Sequence, residues 1–109
     1  METPCATVEI SREQGPRVRL QGDVDFRNAQ IVREAVRSAT RELGDPIILD
    51  LEKLTFIDSS GIRLFVRLER AIRDRGVLHL RGPSPHIARV FEVAGLPDLG
   101  IVIEEAPDA

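Results

Sequence analysis

Near the start of the chain apolar and polar residues alternate in two short stretches, Val8 and Ile10 in the first and Val18 and Leu20 in the second. Alternation with a period of two marks a strand with one covered face, and Ser11 to Pro16 between them, with Gly15-Pro16, reads as a turn. An antiparallel pair is predicted. From Phe26 onward the spacing becomes helical: Ile31, Val32, Ala35, Val36 and Ala39 share one stripe, Asp25 is the expected N-cap and Gly44 the expected terminator. Ile47-Ile48-Leu49, followed by Leu51, lacks clean alternation, as expected of a central strand covered on both faces.

Leu54-Thr55-Phe56-Ile57 reads as the approach to a strand end. It leads into Asp58-Ser59-Ser60-Gly61, after which Ile62, Phe65, Leu68 and Ile72, closed by Gly76, predict a second helix. Val77 to Leu80 supplies another strand. Ser84-Pro85 is a strong helix start, because Ser accepts from orphan amides and Pro is at ease in the first helical position. Ile87, Val90, Phe91 and Ala94 form the stripe of this third helix, and Gly95 ends it. A last strand, Ile101-Val102-Ile103, precedes the polar tail 104–109. The order β-β-α-β-α-β-α-β predicts an α/β fold with a mixed sheet: an N-terminal antiparallel hairpin, then right-handed β-α-β crossovers, packed against helices. One domain over 1–109 is expected, with its core at about 6–103.

Composition narrows the function classes. A chain of 109 residues that is 42% hydrophobic fills one core, and two halves would each be too small to stand alone. The formal net charge of -3, with four Phe and no Trp or Tyr, argues against nucleic-acid binding through bulk electrostatics or base stacking. No apolar run approaches the roughly 18 residues of a membrane span, and METPCATVEI lacks the blocks of a secretion signal, so a cytoplasmic protein without membrane insertion is expected. Cys5 is the only cysteine and His79 and His86 the only histidines, so neither an intrachain disulfide nor a metal cluster is expected, and no cofactor is assigned.

The segment Asp58-Ser59-Ser60-Gly61 carries the candidate chemistry. A helix opens with amides that have no internal partners and a partial positive charge, so oxygens and phosphates are stabilised there. Asp58, Ser59 or Ser60 could serve simply as the N-cap, worth about 1 kcal/mol. No capping box is present, because Ile62 and Arg63 stand three residues beyond the serines. The esterase nucleophile elbow requires Gly two before the serine, where this chain has Ile57, and no Gly-rich loop precedes a Lys-Ser or Lys-Thr pair. An enzymatic role is therefore not expected, and no catalytic residue is assigned.

Gly22 to Asp25 as G-x-x-D, the apolar strand into Asp58-Ser59-Ser60-Gly61-Ile62, and Ser84-Pro85 with Val90-Phe91 and Ala94-Gly95-Leu96 resemble a STAS domain, specifically the bacterial anti-sigma factor antagonists, over about residues 6–103. The resemblance implies that Ser59 is phosphorylated by a partner that is both an anti-sigma factor and a serine kinase, with ATP bound by that partner, and that a metal-dependent serine phosphatase reverses the step. The unmodified form would bind the anti-sigma factor and release a sigma factor, a partner switch of stress-response transcription made without contact to DNA. Matched by position, Gly22 permits a turn, Asp25 ends it beside the acceptor within the docking surface, and Asp58, Ser60 and Gly61 shape the acceptor loop. Phosphate adds roughly -1.5 to -2 charge, and Asp25 and Asp58 are expected to make the patch more acidic still.

Two departures stand out. Many members continue into a final helix, whereas Glu104 to Ala109 are all that follow the last strand here, and Arg63 stands where some members have a small residue. Arg63, Arg67 and Arg70 form a basic stripe with two readings: a solvated face with local pairs such as Glu69–Arg73, or a surface that steers docking onto an acidic partner. Arg63 and Arg67 therefore join the partner-binding candidates. The alternative function is a STAS adaptor subunit in a membrane-transporter or stress-sensing assembly.

Overall fold

The computed structural model describes residues 2–3 (backbone only), 5–13, 15–43 and 47–107. Among the described residues there are seven strands: β1 (Glu2–Thr3), β2 (Ala6–Ser11), β3 (Arg17–Val24), β4 (Ile47–Asp50), β5 (Leu54–Ile57), β6 (Leu78–Arg81) and β7 (Val102–Glu104). The helices are α1 (Ala29–Leu43), α2 (Ser59–Ile72) and α3 (Pro85–Val93), with a 3₁₀ turn at Leu96–Leu99. None of the described helices is long and apolar enough to cross a membrane.

The sheet runs β1-β2-β3-β4-β6-β7, antiparallel at β1/β2 and β2/β3 and parallel beyond. The hairpin and the crossovers are as the pattern predicts. Each crossover from β3 to β7 steps in the same direction, so right-handed connections deliver all three helices to one face. The alternation along the strands agrees. Val8, Val18, Leu20, Leu49 and Leu80 enter the core, while their neighbours Glu9, Arg19, Asp50 and Arg81 point to the other face. The core is thus one-sided, and the expectation that β4 is covered on both faces is corrected: the far side of β4 is sealed by charged side chains, not by helices.

Further boundaries differ from the sequence reading, among them β6, which runs Leu78–Arg81 where Val77 to Leu80 is expected, and β7, which begins at Val102 and not at Ile101. Leu54–Ile57 is a strand in its own right, because the long β3 pairs with β4 through Val18 and Arg19 and then with β5 from Gly22 to Val24. One extra residue enters across the interruption at 51–53 and a second at Thr55, between Leu54 and Phe56, so β5 resumes the line of β4 at a shifted register. Asp25 does not cap α1; residues 25–28 form a turn, the Ala29 amide donates to the Asp25 carbonyl (2.9 Å), and Asn28 directly precedes the helix. Phe26, expected to open that helix, is 78% exposed. The expected terminator Gly44 lies outside the described residues. At the other end of the chain, Glu104 belongs to β7, not to the tail.

Helices α2 and α3 meet through Phe65 and Phe91, both fully buried, with ring centroids 5.5 Å apart and planes at 87°. Such edge-to-face pairs contribute about 1 kcal/mol beyond their buried area. Ser84 caps α3 by accepting from the Ile87 amide, and Gly95 ends it at φ 81°, both as predicted.

On the uncovered face, Asp50 is held by Arg17 Nε at 2.9 Å and Arg19 Nε at 3.6 Å, and it accepts from the Glu52 amide at 3.0 Å. Burial raises its pKa, but the Glu52 amide and the Arg17 guanidinium, with Arg19 behind, bring it below the ordinary carboxylate value. Removing one member of such a pair strands the other charge. Asp50→Asn is therefore expected to cost about 3 kcal/mol at pH 7. A carboxylate with a depressed folded-state pKa contributes stability that is complete above its unfolded value, about 3.9, and is lost as pH falls through the folded value. Urea unfolding at pH 7 and pH 3 should show the gap between wild type and variant closing on acidification; a gap of constant size would assign the loss to packing instead.

Gly22 has φ +93°, and a Cβ there would run into the Cys5 carbonyl oxygen. Gly22→Ala is accordingly expected to destabilise by about 2 kcal/mol, lowering Tm by roughly 10 °C in a domain of this size. A thermal melt within 2 °C or so of wild type would contradict the clash.

Candidate functional site

The carboxyl ends of β3 and β5 lie side by side, with Val24 opposite Ile57. The chain leaves β3 into the turn 25–28 and leaves β5 into α2, so both exits are neighbours. One side chain joins them. Asp58, in an extended conformation (φ -112°, ψ -170°), is the N-cap of α2. Its Oδ1 accepts from the amides of Ser60 (2.8 Å) and Gly61 (3.3 Å), and its Oδ2 accepts from the amide of Phe26 (3.1 Å) in the neighbouring turn. The Asp58 amide in turn donates to the Val24 carbonyl at 3.2 Å, and the Ile62 amide to the Asp58 carbonyl at 3.1 Å. Among the three residues left open for the cap, the role falls to Asp58.

That assignment frees both serines. Ser59 takes the first position of α2, exposed, and its side chain has no hydrogen-bond partner among the described residues. Ser60 follows, half-buried. The two diverge: Ser59 faces a largely apolar groove of about 540 Å³ between α2 and α3, shared with Ile62, His86, Arg89, Val90 and Val93. Ser60 faces a cleft of about 320 Å³ between α1 and α2, shared with Phe26, Gln30, Arg33, Arg63 and Arg67.

Gly61 is buried against the strand below. A Cβ there would press into the Ile57 side chain and approach Val24, so the absence of a side chain lets α2 start flush on β5. Gly22 does a related service upstream, letting β3 pass close to the chain at Cys5 while its amide donates to the Lys53 carbonyl at 2.9 Å.

Asp25 is arranged differently from the expectation of a free negative charge. Its carboxylate turns onto Arg27, with Nη2 at 2.7 Å, and also accepts from the Arg27 amide at 2.9 Å. These hydrogen bonds, the side-chain one foremost, hold the Asp25 pKa below the ordinary value against the opposing effect of burial. Asn28, buried, closes the turn by accepting from the Asp25 amide (3.0 Å) and donating to the Asp23 carbonyl (2.8 Å). Asp25 is thus a paired strut of the turn, and the patch around Ser59 is less acidic than the sequence reading anticipated.

The basic stripe is present in part as foreseen. Arg63, Arg67 and Arg70 are exposed on α2, and Arg73 pairs with Glu69 at 2.6 Å, although Glu69 itself is buried. Sequence reasoning missed Phe26, Arg33, His86, Arg89 and the 79%-exposed Val93 around the site. Val93 carried a signal, since it falls off the stripe of Ile87 and Phe91; the others depend on how the helices pack.

Residues 8–108 match the STAS domain family. An anti-sigma-B factor antagonist of Listeria monocytogenes is 33% identical over 79 residues, covering 72% of this chain and 69% of that protein. Among solved structures, the anti-sigma factor antagonist SpoIIAA in its unphosphorylated form superposes with a TM-score of 0.63 at 26% identity, covering 95% of this chain and 88% of that one. The Bacillus cell fate determinant SpoIIAA in the phosphorylated form gives a TM-score of 0.62 at 25% identity, covering 94% and 92%. With the family match spanning nearly the whole sequence and the fold matching throughout, this chain belongs to the STAS domain family.

Proposed function

We propose that this protein is an anti-sigma factor antagonist whose unmodified form docks an anti-sigma factor through the start of α2, and that phosphorylation of Ser59 ends the docking. The observation that carries the reading is the exposed Ser59 hydroxyl at the first position of α2, left without a structural task because Asp58 supplies the cap. Similarity to a Listeria antagonist and to SpoIIAA, solved both with and without phosphate, supports the same reading.

The partner is a serine kinase that brings ATP. Ser59 Oγ bonds to the γ-phosphorus, ADP departs, and the hydroxyl proton passes to a base of the kinase. A metal-dependent phosphatase restores the hydroxyl with water. In this scheme the chain is a substrate and a binding module, with no catalytic residue or cofactor of its own.

Helix geometry makes the modified state tolerable to the fold. A phosphate on the first helical residue sits where backbone amides and the helix dipole favour negative charge. The cost appears on docking, when the dianion must lose water against a partner face shaped for a neutral hydroxyl beside the apolar Ile62 and Val93. Gly22 and Asp25 act by holding the turn 25–28 in place, and Asp58, Ser60 and Gly61 by fixing the first turn of α2. Arg63 and Arg67 flank the docking face from the α1 side.

Because the cap is Asp58, Ser59→Ala should leave stability within about 0.5 kcal/mol of wild type, whereas Asp58→Ala should lose about 1–2 kcal/mol in urea unfolding. Titration against a serine-kinase anti-sigma factor from the same organism should give tight binding for wild type and Ser59→Ala, and at least tenfold weaker binding for Ser59→Asp. Incubation with that kinase and ATP should add one phosphate, located at Ser59 by mass spectrometry. Binding indifferent to Ser59→Asp, together with no phosphate at Ser59, would return the chain to the adaptor reading.

A further inference from the structure

Helices α1 and α2 both cross back over parallel strands and therefore run side by side in the same direction, N-terminal end to N-terminal end. The seam between them opens into two clefts. One, of about 320 Å³ at the N-terminal end, holds Arg33 of α1 opposite Arg63 and Arg67 of α2. The other, of about 240 Å³ at the C-terminal end, holds Arg37 and Arg41 of α1 opposite Arg75 just past α2. Arg33, Arg37 and Arg41 are spaced four apart, so they line one edge of the seam over about 12 Å at 1.5 Å per residue.

This concentration runs against the rest of the molecule. The chain carries a formal net charge of -3, yet six of its 15 cationic residues line these two clefts, with Asp74 the one carboxylate beside them. Elsewhere most arginines are matched, Arg17 and Arg19 to Asp50, Arg27 to Asp25 and Arg73 to Glu69, with Arg70 and Arg89 the exceptions. None of the six in the seam forms an ion pair with another described residue. Like charges placed at i, i+4 spacing destabilise a helix. Two such runs facing each other across a groove have no folding rationale, but they match an elongated anion, because a planar guanidinium takes a carboxylate through two parallel hydrogen bonds.

We propose that the α1–α2 seam is a second docking site, for an acidic segment of a protein partner lying lengthwise between the two arginine rows, with the 78%-exposed Phe26 receiving an apolar side chain at its N-terminal end. The recess favours a peptide over a membrane, which a flat or convex basic surface would suit better. Overall negative charge disfavours nucleic acid. The site lies on the opposite flank of α2 from the groove that Ser59 faces; its N-terminal end shares Arg63 and Arg67 with the edge of the docking face proposed above, but its binding of an acidic peptide stands or falls independently of phosphorylation.

The test uses the full chain and a fluorescein-labelled octaglutamate peptide, with binding followed by anisotropy at low and physiological salt and by amide chemical-shift mapping. The expected result is salt-sensitive binding with shifts confined to α1, α2 and Phe26, and at least a tenfold loss in Arg33→Glu/Arg37→Glu/Arg67→Glu. Arg12→Glu/Arg89→Glu, which changes charge outside the seam, should bind as wild type does. If the triple variant melts early, Arg33→Gln/Arg67→Gln replaces it and should still lose severalfold. Absent binding, equal loss in the outside variant, or stronger binding to phosphatidylserine vesicles or to a nucleic-acid duplex than to the peptide would overturn the proposal. Ser59→Asp should leave octaglutamate affinity within twofold.

Discussion

A single carboxylate, that of Asp58, holds the functional end of the molecule together. It accepts from two amides of the first turn of α2 and from the Phe26 amide of the adjoining turn, so a helix start and a loop that are 32 residues apart in sequence share one anion. Opening amides of a helix must find partners outside its own ladder. Here that need is met by a residue that also fixes where the neighbouring loop can lie. Ser59 is exposed and uncommitted as a direct result, since the amides that would otherwise recruit its oxygen already donate to the residue one position earlier.

The sheet sets up this arrangement. Strand β3 is long enough to pair with two partners in succession, and the break between β4 and β5 lets the chain shift register before it reaches Ile57. Without that shift α2 would begin from a different row of the sheet. Gly61 then allows the helix to descend onto β5, and the paired Asp25–Arg27 keeps the turn compact. On the far side, Asp50 with Arg17 and Arg19 does for β4 what a helix does elsewhere, shielding the strand from water with matched charge.

Much of this was legible in the sequence. The hairpin followed from alternation, the third helix from Ser84-Pro85 and Gly95, and α2 from its stripe and the Asp-Ser-Ser-Gly opening. Local signals sufficed because the physics involved is local: periodicity, caps and proline or glycine backbone preferences. What escaped depends on partners distant in sequence. Residues 54–57 form a strand only because β3 offers a free edge there. Asp25 is the local exception: it reads as a cap because a carboxylate ahead of a helical stripe looks the same whether or not the arginine two residues on folds back onto it. β4 read as doubly covered because Asp50 closes an apolar run, and no periodic pattern tells burial under arginines from burial under a helix. The arginines of α1 carry no local signal, because what they face is set by the placement of α2.

Successive residues of a helix point about 100° apart. Ser59 and Ser60 are chemically the same and adjacent in the chain, yet they open onto separate recesses, one shared with α3 and one with α1. A protein approaching along one flank of α2 meets one hydroxyl and is screened by the helix from the other. Twin serines in this fold are two distinct addresses, told apart by direction of approach instead of by flanking sequence.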